Sequence, residues 1–157
     1  GKTTIGNALE QKLHHQRKLT YFIDADNMRL GINKDLGFSQ NDRVENIRRI
    51  AEISKLMIDA GLIVIVAAIS PFENERNFAR SLFDKNEFYE IFVNTPVSVC
   101  KNRDPKGLYK KSAKDKTMSK TGLGLGYQIP KNPDLIVSTE KEKADEIADR
   151  ILKKYFS

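Results

Sequence analysis

Helix-like and strand-like patterns alternate along this 157-residue chain. That alternation predicts an α/β fold, a parallel β-sheet flanked by helices on both faces. Two further observations support it. Residues 62–69 form an unbroken apolar run rich in β-branched side chains, the pattern of a strand buried on both faces. The composition, 39% hydrophobic and 31% charged with 9 Gly and 5 Pro, excludes collagen-like, low-complexity and wholly disordered classes. The length suits one domain over residues 1–157, with no repeat and no linker.

In chain order, residues 3–16 carry Ile5, Ala8, Leu9 and Leu13 on one helical face. Residues 19–23 are a short β-rich run ending at Asp24. Residues 43–60 form an amphipathic helix, with Ile47, Ile50, Ala51, Ile53, Met57 and Ile58 in a stripe and Gly61 as its stop. The buried strand at 62–69 follows, then a helix at 73–83. Residues 90–94, around Ile91, Phe92 and Val93, form a strand closed by Thr95-Pro96, and a helix begins at 97–102. Residues 134–138 are the last strand and 140–155 the last helix. Residues 103–133 differ, with few periodic apolar positions, many lysines and Thr-Gly-Leu-Gly-Leu-Gly at 121–126. A weakly patterned segment of about 30 residues in a compact domain reads as a lid or a disordered insert. Its glycines read as a hinge or as plain turns.

The net charge of +6 is local. Residues 101–120 hold eight basic side chains and two acids, and the rest of the chain is neutral. A neutral body with one basic segment points to a phosphate-handling loop rather than a face for a nucleic-acid polymer; the alternative is a solvated lysine loop. The longest apolar run has eight residues, short of the roughly 18 that a membrane helix needs, so no membrane partner is expected. The single cysteine, Cys100, cannot form an internal disulfide. With no secretory leader in the sequence, the cytoplasm is the expected compartment.

Three constellations carry chemistry. Gly1-Lys2-Thr3-Thr4 followed by a helix matches the second half of a phosphate-binding loop, G-x-x-x-x-G-K-[ST]. A helix N-terminus offers unpaired N–H groups to phosphate, Lys2 reaches the outer phosphates, and the Thr3 hydroxyl can ligand Mg²⁺. A strand and the first half of the loop are expected upstream of Gly1. The alternative is a helix that merely opens Gly-Lys-Thr. Next come Asp24 and Asp26, just past a strand, where open parallel sheets bind ligands. One carboxylate can act as base for an attacking hydroxyl and the other as a Mg²⁺ partner. The alternative is a turn with Asx caps, and the nearby phosphate loop favours the functional reading. Last, Ser39 to Asp42 supplies capping chemistry, and Arg43 and Asn46 share a helical face. Near a strand-end site they can bind an acceptor's phosphate and ribose; taken alone they face solvent.

The order of these strings is specific. GKTT, then DADNMRLGINKDLGFSQNDRVENIRRI, then ISPF, then RDPKGLYKK, then TG followed by Tyr-Gln-Ile-Pro-Lys-Asn-Pro closely resembles the adenylyl-sulfate kinase family over nearly the whole chain. The resemblance implies a P-loop NTPase-type sheet with a basic mobile lid at about residues 103–130. It implies a kinase that moves the γ-phosphate of Mg-ATP to the ribose 3′-hydroxyl of adenylyl sulfate, a small-molecule nucleotide acceptor, and a homodimer. Carried over by residue, Gly1, Lys2, Thr3 and Thr4 belong to the ATP phosphate loop. Asp26 is the base on the 3′-hydroxyl, and Asp24 supports magnesium with Thr3. Arg29, Arg43 and Asn46 hold the acceptor's charged groups, Phe38 stacks on its base, and Ile69 and Ser70 line the same pocket. Arg103, on the ATP side, and Lys106 open the lid, which neutralises phosphate charge and excludes water.

The departures from the family pattern cluster on the acceptor side. Ala25 stands for a Gly, Ala68 for a Phe, Met118 for a Lys, and Lys120 for the Phe that stacks on the acceptor adenine. Losing one stacking face removes about 1–3 kcal/mol per base, and a lysine can hydrogen-bond a cytosine carbonyl. Two alternatives to the family default follow. One is a cytidine diphosphoramidate kinase of bacterial capsule biosynthesis, and the other is a nucleotide-binding module without turnover.

Overall fold

The protein is described by a computed structural model that covers residues 1–103 and 126–156. Lys106, Met118, Lys120 and most of the expected lid lie outside these described residues. Within them the chain runs α1 (Lys2–His15), β1 (Thr20–Asp24), α2 (Ala25–Met28), α3 (Gln40–Asp59), β2 (Ile63–Ala67), α4 (Glu73–Ser81), β3 (Ile91–Val93), α5 (Val97–Arg103), β4 (Leu135–Val137) and α6 (Ala144–Tyr155). This is the expected α/β alternation.

All pairing among the described strands is parallel. β1 pairs with β2 from Thr20↔Ile63 to Asp24↔Ala67, and β3 pairs with β4 from Ile91↔Leu135 to Val93↔Val137. The described strands form two two-stranded sheets, because no described residue hydrogen-bonds β2 to β3.

Alternation along β2 builds two cores, because successive strand side chains point to opposite faces. Ile63 and Ile65 pack against a cluster made by Ile5, Leu9 and Leu13 of α1, Val137 of β4, and Ile147, Ala148 and Ile151 of α6. Val64 joins the opposite cluster, built by Ile23, Ala25, Ile47 and Ile50. Helices therefore lie on both faces of the β1–β2 pair. The expected burial of the whole strand is not met: only Ala67 is fully buried, Ile63, Val64 and Ile65 are half-buried, and Val66 is 43% exposed. On α1, Gly6 allows close packing, since a Cβ there would run into the ring of Phe22 on β1.

Element ends shift where side chains cap them. Asp42 N donates to Ser39 Oγ at 3.2 Å and Ser39 N to Asp42 Oδ2 at 3.3 Å. This reciprocal capping box starts α3 at Gln40, three residues before the expected 43. Glu146 Oε2 accepts from Lys143 N at 2.8 Å, so α6 starts at Ala144 rather than 140. β2 ends at Ala67 rather than 69, because the chain turns away at Ser70, whose φ is +41°.

Candidate functional site

The ends of β1 and β2 lie side by side, with Asp24 in register with Ala67. Asp24 closes β1 and is also the N-cap of α2, with φ −91° and ψ 120°. Its Oδ1 accepts from Asp26 N at 2.9 Å. The Asx-cap reading of this turn is therefore correct as local geometry. The same carboxylate does more, since Thr3 Oγ1, in the first turn of α1, donates to Asp24 Oδ2 at 3.0 Å. The two acids are placed differently. Asp24 is buried at 8% exposure, whereas Asp26 is exposed one residue into the α2 turn.

A cavity of about 640 Å³ opens at the N-terminus of α1. Its lining includes Gly1, Thr4 and Arg103, three residues expected on the ATP side, together with Thr139, Lys143 and Glu146. Arg103 donates to Thr139 Oγ1 and to Thr139 O, both at 3.0 Å. Thr139 shares a 2.9 Å hydroxyl contact with Thr95 and donates its N–H to Thr95 Oγ1 at 3.1 Å. A Cβ at Gly1 would stand 2.6 Å from Thr139 Cγ2, so this position needs glycine for close approach. Lys2 is exposed at the first residue of α1.

Just after α2, Arg29 and, from α3, Arg43 converge on Phe38. The Arg29 guanidinium stands 4.9 Å from the ring centroid and that of Arg43 5.8 Å, within cation–π reach. Arg29 Nη1 donates to Gly37 O at 2.5 Å, and Arg43 Nε to Phe38 O at 3.1 Å. Burial, and then the neighbouring Arg29, lower the Arg43 pKa, while Glu75 and Asp26 oppose the shift. Arg29, Arg43, Asp26 and Glu75 thus share one electrostatic neighbourhood. Asn46 is buried at 3% exposure, and its Oδ1 accepts from the fully buried Asn33 at 2.9 Å. Ile69 is 37% exposed just beyond β2, and Ser70 is half-buried beside it. On the outer face of α3, Glu45 accepts from Arg48 at 2.7 and 2.9 Å and from Arg49 at 2.8 Å. These bonds hold its carboxyl down at about 2.

Sequence reasoning passed over several residues of this neighbourhood. α4 buries Glu75 at 2% exposure and Arg76 at 7%. The signal was present, because Glu73–Ser81 has only Phe78 and Ala79 as apolar residues, so the helix can dock only by burying charge. Glu75 Oε2 accepts from Phe72 N at 3.3 Å. Burial pushes the Glu75 carboxyl up against the pull of that bond and of Arg76 and Arg43. A carboxyl whose folded pKa is raised keeps its proton more readily in the native state, so stability falls as pH rises through that window. Glu75→Gln is therefore expected to raise the thermal midpoint at pH 7–8, and the gain should vanish near pH 4 in a melting series. Asn33, Thr95, Thr139 and Gln128 carry no local signal, since each acts through a partner distant in sequence.

Comparison with known proteins adds the following. The family model described as adenylylsulphate kinase matches residues 1–138. The bifunctional enzyme NodQ of Rhizobium meliloti is 53% identical over 94% of this chain. The chain spans only 23% of that enzyme's length. The adenylyl-sulfate kinase of Pseudomonas aeruginosa is 47% identical over 97% of this chain and 78% of its own length. The structure of the Mycobacterium tuberculosis APS kinase CysC in complex with AMPPNP and APS superposes with a TM-score of 0.89. That match has 40% identity and covers 98% of this chain and 89% of the other. No helix among the described residues is long and apolar enough to cross a membrane.

Proposed function

This chain belongs to the adenylyl-sulfate kinase family, and we propose that it carries out the family reaction, transfer of the γ-phosphoryl group of ATP to the 3′-hydroxyl of adenylyl sulfate. The observation that carries the reading is the 3.0 Å bond from Thr3 to Asp24. It joins the phosphate-loop helix to the strand end from which Asp26 emerges, so donor phosphate and acceptor hydroxyl meet there. Asp26 takes the proton of the 3′-hydroxyl as the oxygen attacks. Lys2 and the first N–H groups of α1 hold the outer phosphates. Gly1, Thr4 and Arg103 border the ATP side. Arg29 and Arg43 hold the acceptor's anionic groups against Phe38, with Asn46, Ile69 and Ser70 around them.

Thr3 and Asp24 are the residues that would hold Mg²⁺. A hydroxyl and a carboxylate 3.0 Å apart are hard oxygen donors, and Mg²⁺ takes one or two such protein ligands beside water and phosphate oxygens. When bound, the ion offsets charge on the transferring phosphoryl group.

The test is an acceptor panel with Mg-ATP as donor. Adenylyl sulfate should be turned over with a kcat/KM at least about tenfold above any cytidine diphosphate derivative, a preference of about 1.4 kcal/mol. Preference for cytidine diphosphoramidate would reassign the acceptor, as the Lys120 substitution in the sequence suggests. ATP binding without transfer to any acceptor would make the chain a binding module.

A further inference from the structure

Two non-glycine residues among the described ones have positive φ, Arg17 at +59° and Ser70 at +41°. Arg17 sits in the exposed turn after α1. Ser70 follows β2 by three residues, and β2 ends in register with Asp24. A left-handed serine is strained, and such strain persists only where neighbours over-determine it.

The neighbour is Arg76. Its Nη1 donates to Ser70 O at 2.7 Å and its Nη2 to Gln128 O at 2.8 Å. Its Nε pairs with Glu90 Oε1 at 2.9 Å, and its guanidinium lies 5.8 Å from the centroid of the Tyr127 ring. Gln128 returns to the same loop, donating its N–H to Pro71 O at 2.8 Å and accepting from Glu73 N at 2.6 Å. A planar guanidinium can donate to two carbonyls from fixed, separated N–H groups while pairing with a carboxylate, a spread that the single nitrogen of an ammonium does not span.

We propose that Arg76 is a positioning residue for the acceptor, holding the Ser70 carbonyl so that the backbone after β2 keeps its left-handed turn toward Asp24 and Asp26. Arg76 does not touch the reacting atoms. It fixes the wall that Ile69 and Ser70 present, and Glu90 and Gln128 fix Arg76. This rests on the proposed acceptor side of the site.

The experiment is a double-mutant cycle of Arg76→Lys and Ser70→Gly, because glycine adopts positive φ without help. Steady-state kinetics with adenylyl sulfate and ATP give each KM separately. In the unmodified background, Arg76→Lys should raise the acceptor KM at least about tenfold and leave the ATP KM within about twofold. In the Ser70→Gly background, whatever that substitution costs alone, adding Arg76→Lys should raise the acceptor KM by no more than about threefold. Equal effects in both backgrounds would overturn the proposal, as would an unchanged acceptor KM. Glu90→Gln, which loosens Arg76 without touching the loop, keeps the test open if Arg76→Lys does not fold. It should move the acceptor KM in the same direction, and no movement counts against the proposal. If the unmutated protein transfers no phosphate to adenylyl sulfate, it is the functional reading that fails. The same cycle is then read on the urea midpoint, where Arg76→Lys should cost less in the Ser70→Gly background and equal cost overturns the proposal.

Discussion

Asp26→Asn is expected to lower kcat for adenylyl sulfate by about 10²-fold or more, with the ATP KM changed by no more than about threefold. The amide keeps the size of the side chain but cannot take the hydroxyl proton. The fold should survive, because Asp26 is exposed and its backbone N–H, which bonds Asp24, is untouched. Stopped assays with labelled ATP at saturating acceptor measure it directly. Near-normal turnover would remove Asp26 from the proton transfer.

Asp24→Asn should cost at least as much in kcat/KM, about 10²- to 10³-fold, by a different route. Asp24 accepts from both the Thr3 hydroxyl and the Asp26 N–H. An amide has one accepting oxygen and no charge. It can keep one of these bonds, and it is a weaker partner for a hard cation. The separating measurement is the magnesium dependence. Half-saturation by Mg²⁺ should rise at least about tenfold in Asp24→Asn, as expected for a lost carboxylate, and stay near the parent value in Asp26→Asn. Equal magnesium curves in the two variants would exclude Asp24 from metal support.

Much of this neighbourhood was legible from local pattern. Leu9 and Leu13 mark α1 by spacing, and the run around Ile63 and Ile65 marks β2. Gly1 to Thr4 and Asp24 to Asp26 flank the same strand end in sequence order, so their meeting follows from the fold class. Burial decided the rest. Arg76 looks like one more charge on a polar helix, and its partners, Ser70, Glu90 and Gln128, are not marked by local pattern. Asn46 shares a helical face with Arg43, but its burial and the bond that its oxygen accepts from Asn33 have no local signal. Ser39 and Asp42 were read as capping residues, yet the helix was begun at 43, because a reciprocal box adds a turn that apolar periodicity does not register.

On the proposed reading, the two substrates meet parts of the molecule that are packed differently. α1 carries the phosphate end of the site and packs Leu13 against Ile147, both with no exposure; Lys12 further ties it to Asp145 and Asp149 of α6. The acceptor side is built on the short α2 and on residues 29–38, where Leu30 and Ile32 are 82% and 64% exposed. Expressed as amide hydrogen exchange, the slowest protons are expected in α1, β4 and α6, opening only with the whole molecule. Those of residues 29–38 are expected to open locally. On the proposed reading, ATP docks on the unit expected to open last. The proposed acceptor site lies on a unit with stability still to gain, so acceptor binding is the event that exchange rates are expected to register.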